Sequence, residues 1–384
     1  MMFPLLLSTL AFFVALLITY WLHSRVALNI ETPISAPPQD DAPSISIIVP
    51  ARNEARNIQR CVEALLNQTY PNFEVIIVDD RSTDGTAEIL AEIQSRKSRL
   101  VVVPGVDLPP NWAGKPHALV QGATHARGDW LCFVDADTFA APELISSAYA
   151  AAIHHNADLF TILTDQELGS FWEKVVLPLV FVGLSFGFPA DKVNDPEASD
   201  AIANGQFILI RQAVYQAIGG HGAVKDRIDE DKAIAEVVKV AGYRLVLADG
   251  RGLAKTRMYT SLPEMWEGWT KNIFLGLRDR LGLLTFGAAV ALLGALALPL
   301  WLIGGVGWAA SGGGISAIIL VLEAILVWGY LVYWRVRAAQ AFGISSWYAL
   351  TLPLGAAVFA AMMFASAYKV ISGRGVTWKG RRYN

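Results

Sequence analysis

Between Ser44 and about Arg257 the chain alternates short β-rich runs with stretches of helical periodicity, and this alternation constrains its fold more than any other feature. SISIIVP, FEVIIVDD, RLVVVP and DWLCFVDAD read as strands, with helices near 54–68, 84–97 and 114–126 between them. Strand and helix in alternation predict a mostly parallel sheet covered by helices. The later runs ADLFTIL, QFILIR and YRLVLAD extend the sheet, some of them antiparallel. An α/β domain over 44–260 is therefore expected.

Hydrophobic residues make up 54% of the 384, and the mean hydropathy of +0.40 is high for a wholly soluble protein. Phe3 to Leu22 is an uncharged apolar run long enough to span a bilayer. It lacks the positive start and small-residue cleavage site of a signal peptide, so residues 1–25 read as a retained anchor. Residues 26–43, with the proline-rich polar run ETPISAPPQDDAP, read as a linker. Residues 261–281 mix Trp266, Trp269 and Phe274 with charges at helical spacing, which predicts an amphipathic helix lying at headgroup level or packed on the α/β core. Residues 282–370 predict a hydrophobic bundle of about three segments, at 283–306, 315–334 and 347–368, before a basic tail over 371–384. Within the α/β range, the apolar run 175–190 reads as an interfacial, re-entrant or buried helix. Glu323, midway along an apolar segment, is a functional suspect to which no role is assigned.

Basic clusters flank these segments: Arg278 and Arg280, Arg335 and Arg337, then Lys369, Arg374, Lys379, Arg381 and Arg382. The positive-inside rule places them on the cytoplasmic face, giving a multi-pass cell-membrane protein whose α/β domain faces the cytoplasm. Three full crossings would carry the tail to the opposite side. Either one segment does not cross or the tail departs from the rule. A net charge of -3 and the lack of a basic stripe argue against nucleic acid as a partner. Cys61 and Cys132 lack metal-type spacing and read as buried thiols in a reducing compartment.

Three constellations carry chemistry. IVPARNE (48–54) stands where the first strand opens into a helix, the place where open α/β sheets bind ligands; Asn53 and Glu54 also suit a helix cap and acidic first turn. VIIVDDRSTDGT (75–86) places the adjacent acids Asp79 and Asp80 at the next strand end, where a carboxylate suits a base N–H and ribose hydroxyls. Asp84 reads as a cap. GDWLCFVDAD (128–137) ends a buried strand in Asp135-Ala136-Asp137, and strand alternation puts both carboxylates on one side. Two converging acids repel unless neutralised, which argues for Mg²⁺ or Mn²⁺ bridging the phosphates of a ligand.

PARNE, DDRSTDGT, GKPHAL (114–119) and the DxD, in this order, resemble family 2 glycosyltransferases of the nucleotide-sugar (GT-A) fold, over roughly residues 44–260. The expected fold class is thus α/β, a GT-A mixed sheet flanked by helices, with transmembrane helices at both ends. The resemblance implies that Pro50, Ala51, Glu54, Asp79 and Asp80 surround the nucleotide, with Lys115 near the sugar or phosphates. It implies a metal on Asp137, with Asp135 beside the ribose or metal. NGQFILIRQAVYQAIGGH (204–221) resembles the family's acceptor loop, giving Asn204, Gly205 and Gln206. DRIDEDKAIAEVVKVAGYRL (226–245) resembles its Glu-Asp block, giving Asp231 as general base with Glu230 and Asp229 in support.

The implied reaction is a single, inverting displacement that moves a sugar from a nucleotide-sugar donor, expected to be a UDP-hexose. Arg257 to Gly276 and WKGRRY (378–383) resemble a membrane-bound subgroup of carotenoid (diaponeurosporenoate-type) and hopanoid-associated glycosyltransferases, implying a membrane lipid or isoprenoid acceptor and a bilayer as partners. No glutamine begins the Gln-x-x-Arg-Trp pattern of processive polysaccharide synthases, which leaves that class as the alternative. A non-enzymatic scaffold would not need the acid series, and a transporter would carry its polar residues in the spans.

Overall fold

The computed structural model describes residues 13–14, 42–187, 189–277, 281–372, 375–378 and 381–383. Nearly all of the expected anchor and of the linker lies outside these residues, as do Arg278, Arg280, Arg374 and Lys379. The chain divides into two compact units: Leu28–Glu167 with Phe188–Met258, and Met1–Ala27 with Leu168–Gly187 and Tyr259–Asn384.

In the first unit the elements run β1 (Ile45–Ala51), α1 (Ile58–Leu66), β2 (Phe73–Asp79), α2 (Thr86–Gln94), β3 (Leu100–Pro104), α3 (Gly114–His125), β4 (Trp130–Phe133), β5 (Thr138–Ala140), α4 (Leu144–His154), β6 (Leu159–Leu163) and β7 (Asp165–Gln166). A second-unit helix, α5 (Phe171–Gly187), intervenes before α6 (Ala190–Asn194), β8 (Ile208–Arg211), α7 (Gln212–Ala217), α8 (Glu230–Val240), β9 (Leu245–Asp249) and β10 (Ala254–Thr256). Seven strands form one sheet in the order β3-β2-β1-β4-β8-β6-β9. β1 lies between β2 and β4 and is parallel to both, whereas β8 runs antiparallel to β4 and β6. β5, β10 and β7 make a small second sheet.

β1 is apolar on both faces because both faces are covered. Ile45, Ile47 and Val49 pack with α1, α2 and α4, while Ile48 packs with α3 and α8. Ser46, fully buried, donates to Glu74 Oε1 (2.7 Å) and accepts from the Gly128 N–H (2.8 Å). Gly122 lets α3 lie against the sheet, since a Cβ there would stand 2.4 Å from Ile48 Cγ2. Ala51 is level with Asp79, and Asp79 with Pro104, so three parallel strands end together and open one edge toward ligand.

The second unit holds α5, α9 (Leu262–Leu277), α10 (Leu281–Ala310), α11 (Gly314–Ala341), a 3₁₀ segment (Ser346–Thr351) and α12 (Leu352–Ser372), then a hairpin of β11 (Val376–Trp378) and β12 (Arg381–Tyr383). Among the described residues two stretches are long and apolar enough to cross a membrane, Gly314–Ala341 and Ser346–Ser372, with mean hydropathies of 2.4 and 1.8. The run expected to end at 334 instead continues as helix to Ala341, so Arg335 and Arg337 lie within α11, and Arg335 is 3% exposed.

The apolar run 175–190 forms most of α5, whose Val175, Val176, Leu177 and Val180 are buried. At its start Ser170 and Glu173 bond reciprocally: the Glu173 carboxylate accepts the Ser170 N–H, and the Glu173 N–H donates to Ser170 Oγ. On α9, Trp269 is buried against Phe181 and Tyr259 while Trp266 is 36% exposed, so only part of the aromatic stripe faces outward.

Candidate active site

The loops that follow β1 and β2 are clasped together. Asn53 N–H donates to Ser82 Oγ (2.9 Å), Glu54 N–H to Thr86 Oγ1 (2.9 Å) and Ala55 N–H to Asp84 Oδ2 (3.1 Å), while Asn53 Oδ1 accepts the Thr83 N–H (2.8 Å). Asn53 and Arg81 both sit at positive φ, 54° and 56°, strain of a kind that collects at ligand sites. Burial tends to raise the Asp84 carboxyl, but hydrogen bonds from Thr86 and the Ala55 N–H outweigh it and hold the group below its usual range. Asp84 therefore fastens the loops. Glu54 precedes α1, its carbonyl accepting the N–H groups of Asn57 and Ile58, and its carboxylate takes a hydrogen bond from Asn57.

Asp79 Oδ1 accepts the Ser82 N–H at 3.1 Å. Asp80 is buried, with Arg52 and Arg81 each 3.7 Å from its carboxylate. Gly105 closes over this strand end, and a Cβ there would meet Asp79 O at 2.8 Å.

A second cluster forms on Lys115, in the first turn of α3. Its Nζ lies 2.6 Å from Asp135 Oδ1 and 2.7 Å from Glu230 Oε1. Asp231, next along α8, accepts the Gly205 N–H on Oδ2 (3.1 Å) and the Lys232 N–H on Oδ1 (2.8 Å). Burial opposes the charge on Lys115, yet Asp135, Glu230 and Asp231 together raise its pKa well above the ordinary value. Burial likewise raises Asp231, and pushes Glu230 up to about 7 against the pull of Lys115. Pro50, Lys115, Asp135, Gly205, His221 and Glu230 share the lining of one small cleft.

Gly205 belongs to a loop tied down from behind. Asn204 donates through its N–H to Thr161 Oγ1 (2.9 Å) and through Nδ2 to Ile162 O (2.9 Å), and its Oδ1 accepts the Gln206 N–H (3.3 Å). Gln206 is buried and accepts from the Thr164 hydroxyl. The side chains of Asn204 and Gln206 thus hold the loop, while Gly205 faces the acids.

β4 ends at Phe133, so Asp135 and Asp137 lie in the turn to β5 and strand alternation does not fix their directions. Asp135 joins Lys115; Asp137 is half-buried, and its carbonyl accepts the Arg257 N–H at 3.4 Å. The spacing of the sequence did not reveal His221. The Gly219-Gly220 turn, at φ 78° and 51°, delivers it to the cleft wall, where Nδ1 lies 3.0 Å from the Tyr215 hydroxyl and Phe133 packs on the ring. Burial, then Lys115, lowers its pKa to about 3 and keeps the ring neutral.

The Glycosyl transferase family 2 model matches residues 46–219, which hold the clasped loops, Lys115, the acid turn and the Gly205 loop. This stretch is a family 2 glycosyltransferase domain. The chain is 30% identical over 241 residues to 4,4'-diaponeurosporenoate glycosyltransferase of Staphylococcus aureus (strain USA300), a match covering 61% of this chain. The chain spans about 61% of the length of the curated relatives it matches. Among solved structures, the mannosyltransferase PcManGT from Pyrobaculum calidifontis, in complex with GDP-Man and Mn²⁺, superposes with a TM-score of 0.56 at 20% identity, over 96% of this chain and 98% of that one. The shared fold is GT-A, as the motif order predicts.

Proposed function

We propose that the family 2 domain is an inverting, non-processive glycosyltransferase that moves a sugar, from a UDP-hexose, to a hydroxyl or carboxyl group of a membrane lipid or isoprenoid-type acceptor. The observation that carries this reading is the cluster of Asp135, Glu230 and Asp231 around Lys115 beside Gly205, at the carboxyl edge of the parallel strands. Three carboxylates around one ammonium leave negative charge that Lys115 cannot neutralise, in a setting of hard oxygen donors suited to Mg²⁺ or Mn²⁺. Among the described residues no three His, Cys, Asp or Glu side chains are grouped to hold a metal by themselves. A cation on Asp137, with Asp135, would therefore complete its shell with phosphate oxygens and water. When bound, it would neutralise charge developing on the leaving diphosphate.

The chain's own residues supply the rest. Pro50, Ala51, Glu54, Asp79 and Asp80 form the nucleotide wall. Lys115 lies where a phosphate or sugar oxygen would take its proton-bearing nitrogen, with Glu230 holding that nitrogen in place. Asp231 retains lone pairs beyond the two N–H groups it accepts and removes the acceptor proton, a step that contributes roughly 10² to 10⁴ in rate. The relative named for 4,4'-diaponeurosporenoate supports a lipid-like acceptor, and the fold shared with a protein bound to GDP-Man and Mn²⁺ supports a nucleotide sugar and a divalent metal. Two helices of spanning length support membrane residence, and the proposal of several passes with the domain toward the cytoplasm rests on the basic clusters of the sequence.

The test is incubation of the purified full chain with labelled UDP-glucose and other nucleotide sugars plus a membrane lipid extract, followed by resolution of lipid products. Sugar transfer that stops with EDTA and returns with Mn²⁺ or Mg²⁺ is expected. Full activity without metal would remove the cation from the mechanism, and polymeric sugar in place of a singly glycosylated lipid would return the synthase reading.

A further inference from the structure

α10 and α11 fold back on one another through a turn at residues 311–313, flanked by Gly312 and Gly314 at φ 92° and 62°. A Cβ on Gly305, close to the end of α10, would stand 2.9 Å from Val321 Cγ2, close to the start of α11. The pair is a hairpin, closed at this turn and open where α10 begins and α11 finishes. Contacts at the open end agree. Phe342, just past α11, lies 5.8 Å from Phe181, which in turn lies 5.9 Å from Trp269 of α9, the helix leading into α10. At 1.5 Å per residue the arms are about 45 and 42 Å long, enough to cross a hydrocarbon core of about 30 Å.

α12 is about 31 Å long, so its length alone allows a crossing. Its direction does not. α11 delivers the chain to the open end, and a helix that crossed from there would finish beside the closed end. α12 finishes at the open one. A Cβ on Gly287, near the start of α10, would stand 2.8 Å from Met363 Cε, and Met363 and Ala367 share one apolar cluster with Ala288, Leu281 and Ile273 of α9. β11, which follows α12, packs on α9 too. The first residues of α12 lie only part of the way along α11: a Cβ on Gly355 would stand 2.6 Å from Val175 O of α5, and Arg335 Nη2 lies 2.6 Å from Lys174 O and 3.4 Å from Val175 O. Arg335 is about 9 Å before the end of α11. Residues 342–351 therefore climb a short way back along α11, and α12 descends again. Backbone at such a depth must be satisfied by protein. Pro178 of α5 has no N–H, so Lys174 O loses its helical donor, and the Arg335 guanidinium replaces it.

We propose that residues 342–372 are a re-entrant segment, entering the leaflet at the open end and leaving through the same face, while α10 and α11 alone among the described helices cross the bilayer. This rests on the second unit residing in a membrane. Trp347, Leu350 and Leu354, exposed on the protein, then contact lipid of that leaflet. Arg337 of α11, Lys369 of α12 and the basic tail share one side, as the positive-inside rule requires, and the conflict raised by three crossings disappears. The test places single cysteines in the full chain at the exposed Ser311, Ser345 and Ser372, and reads an impermeant maleimide on bacterial spheroplasts before and after permeabilisation. The natural Cys61 and Cys132 are buried and add little label. With the domain toward the cytoplasm, Ser311→Cys should label in intact spheroplasts, whereas Ser345→Cys and Ser372→Cys should gain label only on permeabilisation. A protease site appended after Asn384 should likewise be cut only then, which reads the same side without a change in the helices. Reaction of Ser372→Cys or cutting of the appended site on the Ser311 side, opposite Ser345→Cys, overturns the re-entrant segment. The mirror pattern, with Ser311→Cys alone protected, supports the segment and reverses only the orientation of the domain. All three thiols on one side, or release of the chain by an alkaline carbonate wash, overturns the membrane reading itself.

Discussion

Asp231 stands at a helix start, where an acid also serves as a favourable partner of the helix dipole, so its position in the sequence does not separate capping from catalysis. Its contacts do. Oδ2 faces the Gly205 N–H, beside Lys115 and Asp135, and the cluster opens on the cleft. Asp231→Asn should lower kcat by about 10² to 10⁴ with nucleotide binding nearly unchanged, because the lost interaction belongs mainly to the transition state. Calorimetric titration of UDP with Mn²⁺ alongside single-turnover transfer checks this, and rapid turnover in the variant would reduce Asp231 to a cap. Because burial raises its pKa, the acid limb of the kcat profile should lie above the ordinary carboxylate range, with activity rising as pH rises through it. Glu230 offers a stability readout. A folded-state pKa of about 7, above the ordinary 4.5, means that its contribution is fully present below 4.5 and is lost as pH rises through about 7. The Tm difference between Glu230→Gln and wild type should therefore move in favour of the variant over that window, and a difference independent of pH would contradict the raised value.

At the scale of elements, the Gly205 loop sets a residue without a side chain against the acids while its neighbours anchor the backbone. A Cβ on Gly205 would stand 2.9 Å from Lys115 Nζ and 3.2 Å from Asp231 Oδ2. The lysine tip can move, so Gly205→Ala should fold with a nearly unchanged Tm. Displacing the ammonium from between Asp135 and Glu230 should nevertheless cost about tenfold to a hundredfold in kcat/KM, since catalytic geometry tolerates little misplacement. Wild-type kinetics in this variant would show that the cluster adapts and does not need the open backbone. The role of α5 also emerges only at this scale. Its Ser-x-x-Glu start bonds as a capping box, and Pro178 breaks its helical bonding. That an arginine about 160 residues away mends the break is not legible, because nothing local links the two.

For the whole molecule, the exposed apolar surfaces of α11 and the segment leading into α12, including Ile315, Leu326, Trp347 and Leu350, require a non-aqueous partner if both helices lie in lipid. The full chain should then stay in the membrane fraction after an alkaline carbonate wash, and its quantitative release by that wash would make these helices a peripheral unit. Periodicity and composition by themselves determined the alternating sheet, its central strands and the apolar carboxyl-terminal helices, because each is written in residues a few positions apart. Motif order likewise singled out Lys115, Asp135, Gly205, Glu230 and Asp231, which the fold brings into one cluster. Only the tertiary structure decided how they pair, that Asn204 and Gln206 turn inward to brace their loop, that His221 closes the cleft wall, and that Arg335 is buried and not part of an exposed basic cluster. Burial and counter-charge arise from segments far apart in the chain, and no local pattern encodes which of them meet.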